Sequence, residues 1–376
     1  MTDSGSNIPA DARAVLTIDL GALRVNWRTV KARLEKAECA AVIKADAYGL
    51  GLEEIAAALI AEGCRTVFVA TLTEARRVRA SGHGVTIYVL DGLLPGAADS
   101  YTGFALRPCL SSLEEIEEWS AVGIARGERL KAAIHIDTGM NRLGLSAADV
   151  VQLAERWTEF RGLEATLVMS HLASADTPRD PMNEKQRKLF EDLRALLPPM
   201  PASLANSGGT FLGPAYHYDL VRPGIVLYGG RALEGQPNPM RHVVTLKARI
   251  LQVRHCAEGE TIGYGSTYTC DRPSRIATIA CGYADGFLRA ISRKDRASGA
   301  VGFIGPHPVP IVGRVSMDLI TADVTDLPEQ MVARGGWIEV LGGRTTVDDL
   351  TDRAGTIGYE LLTRLGRRVH RVYVGQ

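Results

Sequence analysis

Lys44 is the first residue of this sequence whose position favours chemistry. Residues 40–43 form an apolar run that predicts a buried strand, and Lys44 closes this run just before a glycine-flanked turn. Burial disfavours the charged form of an amine and lowers its pKa, so a lysine there is costly unless it is paired or used. An amine with a lowered pKa can form a Schiff base with an aldehyde. Without other residues to support it, a lysine that extends from a strand end into solvent is the more common arrangement.

Other apolar runs end in residues suited to binding a ring or an anion. His171, Ser207 and Arg222 each follow or end such a run. Glycines beside Ser207 and at position 224 allow the backbone to approach a ligand closely. The carboxyl ends of barrel strands lie at one mouth, where loops can present backbone N–H groups to a phosphate. The sequence therefore predicts that these residues converge with Lys44 on one site.

The runs that carry these residues belong to a longer alternation of strands and helices. Helical signals lie between several of them, including a capping pattern that begins at Ser112 and an amphipathic segment at 182–197. Eight strands that alternate with helices predict an α/β fold with an N-terminal (β/α)8 TIM-type barrel, and an open doubly wound sheet is the alternative. The predicted strands span residues 40–43, 66–70, 85–90, 103–106, 132–137, 165–170, 202–205 and 220–222.

The pattern changes after a segment rich in glycine and proline at 229–239. Short β-like runs separated by Gly, Pro and Asp then replace the helical period, which predicts a C-terminal mainly β domain. The early strand at 14–19 precedes the first barrel strand and is a candidate to join the sheet of the β domain. The expected boundaries are a tail at 1–13, a barrel at 14–235 and the β domain at 236–376.

The composition is that of an ordinary globular protein. The 376 residues are 46% apolar and 23% charged with a formal net charge of zero, so nothing points to nucleic acid as a partner. No apolar stretch approaches the roughly 20 residues that span a bilayer, and the first residues lack the apolar core of a secretory signal. The six cysteines are scattered without metal-ligand spacing, so we expect reduced thiols, no metal site and a cytoplasmic location.

The residues around Lys44 also carry a resemblance to a known family. The string KADAYGLG at 44–51 closely resembles the lysine motif of the alanine racemases, which depend on pyridoxal 5'-phosphate (PLP). The resemblance implies that Lys44 holds this cofactor as a Schiff base and that Tyr48 reaches its phosphate. The other phosphate-binding positions that the resemblance implies are Ser207, Gly224 and Ile225.

Arg222 matches the family position that faces the pyridine nitrogen of the cofactor, and His171 matches the histidine beside it. A carboxylate at that nitrogen would keep it protonated and make the ring a deep electron sink. Arginine only donates hydrogen bonds, so the resemblance implies an unprotonated ring and a short-lived carbanion. Such a ring suits racemisation and discourages transamination. A structural ion pair made by Arg222 is the alternative.

Racemisation needs two bases, because one proton leaves one face of the substrate Cα and another arrives on the opposite face. The resemblance implies that Lys44 serves one face. The string IGYGSTY resembles the family segment with the opposing tyrosine, which here is Tyr264. In the family this tyrosine reaches the active site of the other subunit, so the resemblance implies a homodimer with shared sites. Tyr264 needs a stabilised phenolate to act near neutral pH, and His171 is the candidate for that role.

Further strings extend the resemblance from about residue 14 to the C-terminus. DTGMNRLG contains Arg142 and SMD contains Met317, and both residues are implied substrate contacts. Tyr359 matches a tyrosine that borders the cofactor site and narrows the gate beside Tyr264, so that alanine passes and large side chains do not. The residues that match the substrate corridor are Tyr283, Asp176 and Arg289.

One position departs from the family pattern. Many relatives have a lysine two residues before the position of Asp137, and its carbamate orients the arginine that matches Arg142. This sequence has His135 there, which cannot form a carbamate. Lys131 lies roughly 13 Å away along a strand and cannot readily take its place. We hypothesise that a neutral His135, a bound anion such as chloride, or another acidic group holds Arg142.

The resemblance as a whole implies a PLP-dependent isomerase that interconverts L-alanine and D-alanine and supplies D-alanine for peptidoglycan synthesis. A PLP-dependent amino-acid decarboxylase of the same architecture is one alternative. Such enzymes present a carboxylate to the pyridine nitrogen and a catalytic cysteine from the second domain, so Arg222 and Tyr264 argue against it. A non-catalytic PLP carrier is the other alternative, although a carrier would not need the β domain.

Overall fold

The chain forms two compact units with separate cores. The computed structural model describes residues 8–82, 84–292 and 299–375. Large side chains are fully buried in both units, such as Phe68 and Phe190 in the first and Ile18 and Phe287 in the second. The barrel unit comprises Arg24–Leu227 and Arg231–Met240, and the β unit comprises Tyr228–Gly230 with the described parts of Met1–Leu23 and Arg241–Gln376.

The barrel unit is built on a parallel sheet that closes on itself. β1 (Ala14–Asp19) belongs to the β unit, and α1 (Leu20–Lys31) follows it. The barrel strands are β2 (Glu38–Cys39), β3 (Ala41–Val42), β4 (Thr66–Val69), β5 (Thr86–Val89), β6 (Arg107–Leu110), β7 (Leu130–His135), β8 (Leu163–Met169), β9 (Ala202–Ser203) and β10 (Leu220–Val221). Only Ala40 separates β2 from β3, so these two segments form one barrel position and the barrel has eight. Strands β3 to β9 pair in chain order, and β10 pairs with β2. The N–H of Val42 also donates to the carbonyl of Pro223 at 2.9 Å. The predicted (β/α)8 barrel is confirmed.

Helices alternate with these strands, and polar caps begin several of them. Ser112 accepts a hydrogen bond from the N–H of Glu115 at 3.2 Å, which confirms the predicted cap. Thr71 and Ser146 open two further helices with complete capping boxes. Each cap is worth about 1 kcal/mol. The helices are α2 (Lys44–Gly49), α3 (Leu52–Ala61), α4 (Leu72–Ala80), α5 (Ala98–Thr102), α6 (Leu113–Arg126), α7 (Ala147–Glu155), α8 (Pro181–Arg194) and α9 (Ser207–Leu212).

The fourth barrel strand lies later in the chain than the sequence pattern predicted. The predicted strand at 103–106 is wrong, because this segment folds back on the end of α5. The N–H of Gly103 donates to the carbonyl of Asp99 at 3.0 Å, and Ala105 has a φ of 51°. The strand is instead β6, which contains Pro108. A proline weakens the strand signal because it offers no N–H to a sheet.

Aromatic side chains occupy much of the barrel core. Phe68 of β4 stacks on Tyr88 of β5 with ring centroids 5.0 Å apart, and Trp119 of α6 meets Tyr101 edge-on at 5.8 Å. The indole N–H of Trp119 donates to the carbonyl of Leu130 at 3.2 Å. Trp119 is therefore buried without leaving its polar group unsatisfied.

The β unit is built on an eight-stranded sheet. The strands after the barrel are β11 (Val244–Cys256), β12 (Thr261–Ile262), β13 (Tyr268–Thr269), β14 (Ser274–Ile279), β15 (Val301–Ile304), β16 (His307–Val312), β17 (Ile320–Asp323), β18 (Trp337–Leu341) and β19 (His370–Val374). The strand order in the sheet is β14-β17-β16-β15-β18-β11-β1-β19. β1 pairs antiparallel with β11 and parallel with β19. The predicted mainly β character of this unit is confirmed.

Short helices complete both units. Among the described residues after the barrel, the α-helices are α10 (Val347–Ala354) and α11 (Gly358–Thr363). The 3₁₀ turns are Trp157–Glu159, Pro214–Tyr216, Ile225–Tyr228, Tyr264–Ser266, Tyr283–Asp285, Arg289–Ile291 and Glu329–Met331. Among the described residues, no helix combines the length and the apolar character that crossing a membrane requires.

Candidate active site

Lys44 stands at the carboxyl end of β3 and begins α2, which is a turn of left-handed helix. Ala45, Asp46, Ala47 and Tyr48 have φ angles of 55°, 55°, 51° and 58°. None of them is glycine, and the left-handed conformation costs each roughly 1–2 kcal/mol. Such strain persists only where the surrounding structure fixes it, and it clusters at functional sites.

Two side chains of α4 hold this turn in place. Glu74 accepts a hydrogen bond from the N–H of Asp46 at 3.2 Å. Its other carboxylate oxygen accepts from the N–H groups of Ala70 and Thr71 at 2.9 and 3.2 Å. Arg77 donates to the carboxylate of Asp46 at 2.8 Å. Charged side chains of α4 therefore fix the left-handed turn that follows Lys44.

The surroundings of Lys44 favour a neutral amine. Its pKa is lowered, chiefly by burial and then by the positive charge of Arg142. Asp91 and Glu74 act in the opposite direction, and the pKa of Asp91 is itself raised by burial and by Glu74. A lysine in this setting supplies more free amine near neutral pH than an exposed one does.

Tyr48 meets the loops that follow β9 and β10. Its side chain is only 4% exposed, and a Cβ atom at Gly224 would lie 2.2 Å from its hydroxyl oxygen. Only glycine permits this approach. The N–H of Gly224 donates to the hydroxyl of Ser207 at 2.9 Å, and Ile225 is buried next to it. Two hydroxyls and the loop backbone therefore lie close together, an arrangement suited to a phosphate.

Arg222 is buried at the end of β10 and is 2% exposed. It donates to the hydroxyl of Ser203, and its Nη2 donates to the carbonyl of Ser170 at 2.6 Å. Its Nη2 lies 3.4 Å from Nδ1 of His171. These partners are neutral, and no described carboxylate pairs with the guanidinium, so the ion-pair alternative is wrong. Burial lowers the pKa of Arg222 to about 10, which leaves it charged at neutral pH.

His171 follows β8 and is a neutral acceptor beside this guanidinium. Burial first, and the charge of Arg222 second, hold its pKa well below the ordinary value. The backbone around it is fixed by Gln186, whose side-chain N–H donates to the carbonyl of His171 at 2.9 Å. A neutral imidazole in this position can accept a hydrogen bond from Arg222 through Nδ1.

The loop after β7 presents Arg142 at the same end of the barrel. The carboxylate of Asp137 accepts hydrogen bonds from the N–H groups of Gly139 and Met140, both at 2.9 Å. Asn141 adopts a φ of 55° within the loop. Arg142 is exposed at its tip, and no hydrogen bond of the described residues holds its guanidinium. The loop is therefore preformed, while the guanidinium at its tip lacks a fixed partner.

His135 does not hold Arg142 through a hydrogen bond. Its Nδ1 lies 3.2 Å from the hydroxyl of Ser111 instead. The pKa of His135 is lowered to about 4, chiefly by burial and then by the charge of Arg222, so the ring is neutral at physiological pH. A bound anion or another acidic group stays a prediction for the partner of Arg142.

The barrel unit thus brings its predicted site residues to one mouth, at the carboxyl ends of its strands. Asp176 lies exposed in the loop after β8, where its carbonyl accepts from the N–H of Glu234 at 2.8 Å. The predicted site residues at this mouth are Lys44, Tyr48, Arg142, His171, Asp176, Ser207, Arg222, Gly224 and Ile225.

The other predicted site residues lie in the β unit. Tyr264 begins the turn between β12 and β13 and is 70% exposed. Met317, 53% exposed, lies beside Tyr283, because the N–H groups of residues 283 and 284 donate to the carbonyls of residues 316 and 317 at 3.0 Å. Arg289 is in a 3₁₀ turn, and Tyr359 is in α11.

Comparison with known proteins identifies the family. Residues 18–232 match the family model for the alanine racemase N-terminal domain, and residues 243–373 match the model for the C-terminal domain. The chain belongs to the alanine racemase family.

Relatives in the alanine racemase family match nearly the whole chain. The alanine racemase of Methylobacterium nodulans is 50% identical and covers 96% of both chains. The catabolic alanine racemase of Mesorhizobium japonicum is also 50% identical, over 97% of this chain and 94% of the relative. The crystal structure of the alanine racemase from Bartonella henselae, with covalently bound pyridoxal phosphate, has a TM-score of 0.90 and 38% identity, and the match covers 96% of this chain and 100% of that one.

Some residues that contact the predicted site residues of this alanine racemase were not predicted from the sequence. Glu74 and Arg77 fix the turn after Lys44, and Ser203 contacts Arg222. The spacing of Thr71 and Glu74 was a visible capping signal. Glu74 also contacts the backbone of the left-handed turn, but this contact depends on how α4 packs, and no local sequence pattern predicts it.

Proposed function

We propose that this chain is a PLP-dependent alanine racemase that interconverts L-alanine and D-alanine. The observation that carries the proposal is the convergence, at one barrel mouth, of Lys44 and a buried Arg222 that pairs with none of the described carboxylates. Lys44 supplies an amine of lowered pKa. Arg222 donates hydrogen bonds but cannot readily protonate a pyridine nitrogen.

The residues at the mouth fit the cofactor. Lys44 would hold its aldehyde, and the space bounded by Tyr48, Ser207 and Gly224 would take its phosphate. When bound, PLP withdraws electrons from the substrate Cα and makes its proton acidic. Ile225 and His171 would complete the cofactor contacts from the barrel, and Tyr359 would contribute from the β unit.

The proton transfers fall to two residues of the chain. Lys44 has its pKa lowered by burial, so its amine is available to take the Cα proton on one face and to return it. Tyr264 would serve the opposite face, and its exposure leaves it able to reach a second chain. We infer a homodimer in which each site combines Lys44 of one subunit with Tyr264 of the partner subunit, with His171 as the group that favours the phenolate.

Substrate binding and access are assigned to the remaining residues. Arg142, exposed on a preformed loop, is suited to the substrate carboxylate, and Met317 to its small side chain. Tyr359 and Tyr264 would narrow the gate so that large side chains are excluded. The residues proposed to line the corridor are Tyr283, Asp176 and Arg289.

The proposed cellular role is the supply of D-alanine for peptidoglycan in the cytoplasm. Six free cysteines fit a reducing compartment. Growth of a D-alanine-requiring bacterial strain that expresses this chain tests the role directly. Failure to grow on medium without D-alanine, despite active protein, would contradict it.

The activity is tested on purified protein. We expect an absorbance band of the lysine-bound cofactor and formation of D-alanine from L-alanine in a coupled assay. Lys44→Ala should lose both. A protein that carries the band but releases CO₂ from amino acids would be a decarboxylase, and one that carries the band without any turnover would be a carrier.

A further inference from the structure

An open surface cavity lies at the end of the barrel unit opposite the catalytic mouth, beside the amino ends of β5 and β6. Its volume is about 530 Å³, and none of the proposed catalytic residues lines it. The lining includes two arginines and two threonines, which are Arg79, Arg107, Thr86 and Thr102. A neighbouring cavity of about 320 Å³ shares Arg107 and Thr102. Arg107 therefore stands between two cavities that racemase chemistry does not use.

Arg107 offers hydrogen-bond donors that the protein does not use. Its Nη1 donates to the hydroxyls of Tyr88 and Thr166 at 3.1 and 3.4 Å, and it lies over the ring of Tyr88. These partners are neutral. Among the described residues, no carboxylate forms an ion pair with this guanidinium, and its Nε and Nη2 make no hydrogen bond. That edge of the guanidinium matches the spacing of two oxygens in an oxyanion.

Like charges gather around the two cavities. Arg79 donates to the carbonyls of Phe104 and Ala105 at 3.0 and 3.2 Å, and its pKa is lowered by burial and by the charge of Arg107. Arg129 and Lys131 line the neighbouring cavity. An anion between such groups would relieve their mutual repulsion.

Carboxylates are also present near this end. Glu128 lines the neighbouring cavity but pairs with Arg126 at 2.7 Å. Glu164 is the cross-strand neighbour of Lys131 in the pairing of β7 with β8. Neither is hydrogen-bonded to Arg107. The positive charge at the wall between the cavities is therefore not neutralised by these two groups.

We propose that this cavity binds a phosphate group, held by the free edge of Arg107 with Thr86 beside it, while Thr102 only lines the wall because its hydroxyl donates to the carbonyl of Asp99. The positive side chains that line the two cavities suit a phosphate, which carries up to two negative charges, better than a singly charged carboxylate. The source is inorganic phosphate or the phosphate of a small metabolite. The volume leaves room for an organic remainder, and Phe104 offers it an apolar ring that is 41% exposed.

Calorimetric titration of the full-length protein tests the proposal. The protein is first dialysed free of phosphate and of excess cofactor, because PLP itself is a phosphate ester. The probes are inorganic phosphate, adenosine 5'-monophosphate and adenosine. We expect phosphate or the nucleotide to bind, and adenosine not to bind. Tighter binding of the nucleotide than of phosphate would assign the site to an organic phosphate, and the reverse would assign it to the free anion.

Two variants locate the binding. Arg107→Gln removes the guanidinium, and Thr102→Glu adds a carboxylate to the shared wall while every arginine is kept. Each of these two variants should weaken binding at least tenfold for whichever probe, phosphate or the nucleotide, binds the parent protein more tightly. Thr102→Gln is the neutral match for the second variant. Lys188→Gln makes the same charge change as Arg107→Gln at an exposed position on α8, and both controls should bind like the parent.

The outcomes separate the proposal from its rivals. Equal affinity in Thr102→Glu, Thr102→Gln and the parent would overturn it. So would adenosine that binds as tightly as its monophosphate, because the phosphate would then contribute nothing. Thr102→Glu keeps the test decisive if Arg107→Gln fails to fold, since the hydroxyl of Thr102 bonds, among the described residues, only to the nearby carbonyl of Asp99 at 3.1 Å.

Discussion

His135 is a buried imidazole whose positive form the folded protein disfavours. Its pKa is about 4 in the folded chain, against about 6.5 for an unperturbed histidine. Between these pH values the unfolded chain binds more protons, so the free energy of unfolding falls as the pH falls through this window. At pH 5 the loss attributable to this residue is about 2 kcal/mol. His135→Gln should remove that part of the pH dependence.

Urea unfolding at pH 8 and pH 5, at one protein concentration, measures the effect. The parent should lose about 2 kcal/mol more than the variant between the two pH values. His255→Gln, at an exposed position of β11, is the matched control and should follow the parent. An identical loss in the parent and in His135→Gln would refute the assignment.

Gly224 is predicted to be indispensable for the phosphate end of the cofactor site. An alanine Cβ there would stand 2.2 Å from the hydroxyl of Tyr48, so the tyrosine or the loop must move. Gly224→Ala should therefore weaken PLP binding at least tenfold, which corresponds to about 1.4 kcal/mol. The measurement is a titration of cofactor-free protein with PLP, followed by absorbance.

Gly84 supplies the control for this substitution. It also lies in the barrel unit, and a Cβ atom there would meet nothing within 4 Å. Gly84→Ala should bind PLP like the parent. If Gly224→Ala binds the cofactor with unchanged affinity, the loop does not hold the phosphate and our assignment of Tyr48, Ser207 and Gly224 fails.

Single residues were predictable where type and neighbours combine into a distinctive string. Lys44 and Tyr48 sit in one such string, and Arg222 ends an apolar run. Ser203 carries no comparable signal, because a serine inside a strand has many uses. Its contact with Arg222 exists only because β9 and β10 lie side by side. Distant neighbours of this kind need the fold to be known.

The left-handed turn α2 makes a prediction about α4, the helix that supports it. Glu74 accepts the N–H of Asp46 and also caps its own helix. Glu74→Gln should loosen the turn, because an amide cannot accept all three of these N–H groups as a carboxylate does. We expect faster hydrogen exchange of the amides at 45–48 and a kcat at least tenfold lower.

Asp149 in α7 provides the matched control for Glu74. It occupies the same capping-box position, paired with Ser146, and is half-buried in a different helix. Asp149→Asn and Glu74→Gln should each lower the free energy of unfolding by about 1 kcal/mol, because each weakens a helix cap. Asp149→Asn should leave hydrogen exchange at 45–48 and kcat unchanged. If both variants behave alike in kcat, Glu74 acts through general stability and not through the turn.

Helices and strands were predicted well where hydrophobic periodicity and capping residues agree. They were predicted poorly where the backbone adopts strained, positive φ angles. The alternation of strands and helices was enough for the barrel, and Ser112 marked the start of α6. The strand at 103–106 was misplaced because the apolar letters there belong to a turn with a left-handed Ala105. The turn α2 could not be predicted either, since alanine and aspartate have no preference for four successive positive φ angles.

The β unit exposes large apolar and aromatic side chains, and their burial against another chain would be favourable. Tyr264, Met317 and Ile357 are 70%, 53% and 58% exposed, and Tyr283 and Tyr359 are also exposed. Exposed aromatic and apolar groups of this kind commonly mark a surface that meets another protein. They support a dimer in which Tyr264 completes a site on the partner subunit.

Mixed dimers test this arrangement. Lys44→Ala chains retain Tyr264, and Tyr264→Phe chains retain Lys44, so neither homodimer contains an intact site. In a two-fold dimer of one chain of each kind, one site receives both intact residues and the other receives neither. After joint unfolding and refolding of equal amounts with PLP, half of the dimers are mixed and about a quarter of the parental activity should return. If each chain builds its site from its own Lys44 and Tyr264, the mixture stays as inactive as its components, because every site then lacks one of the two bases.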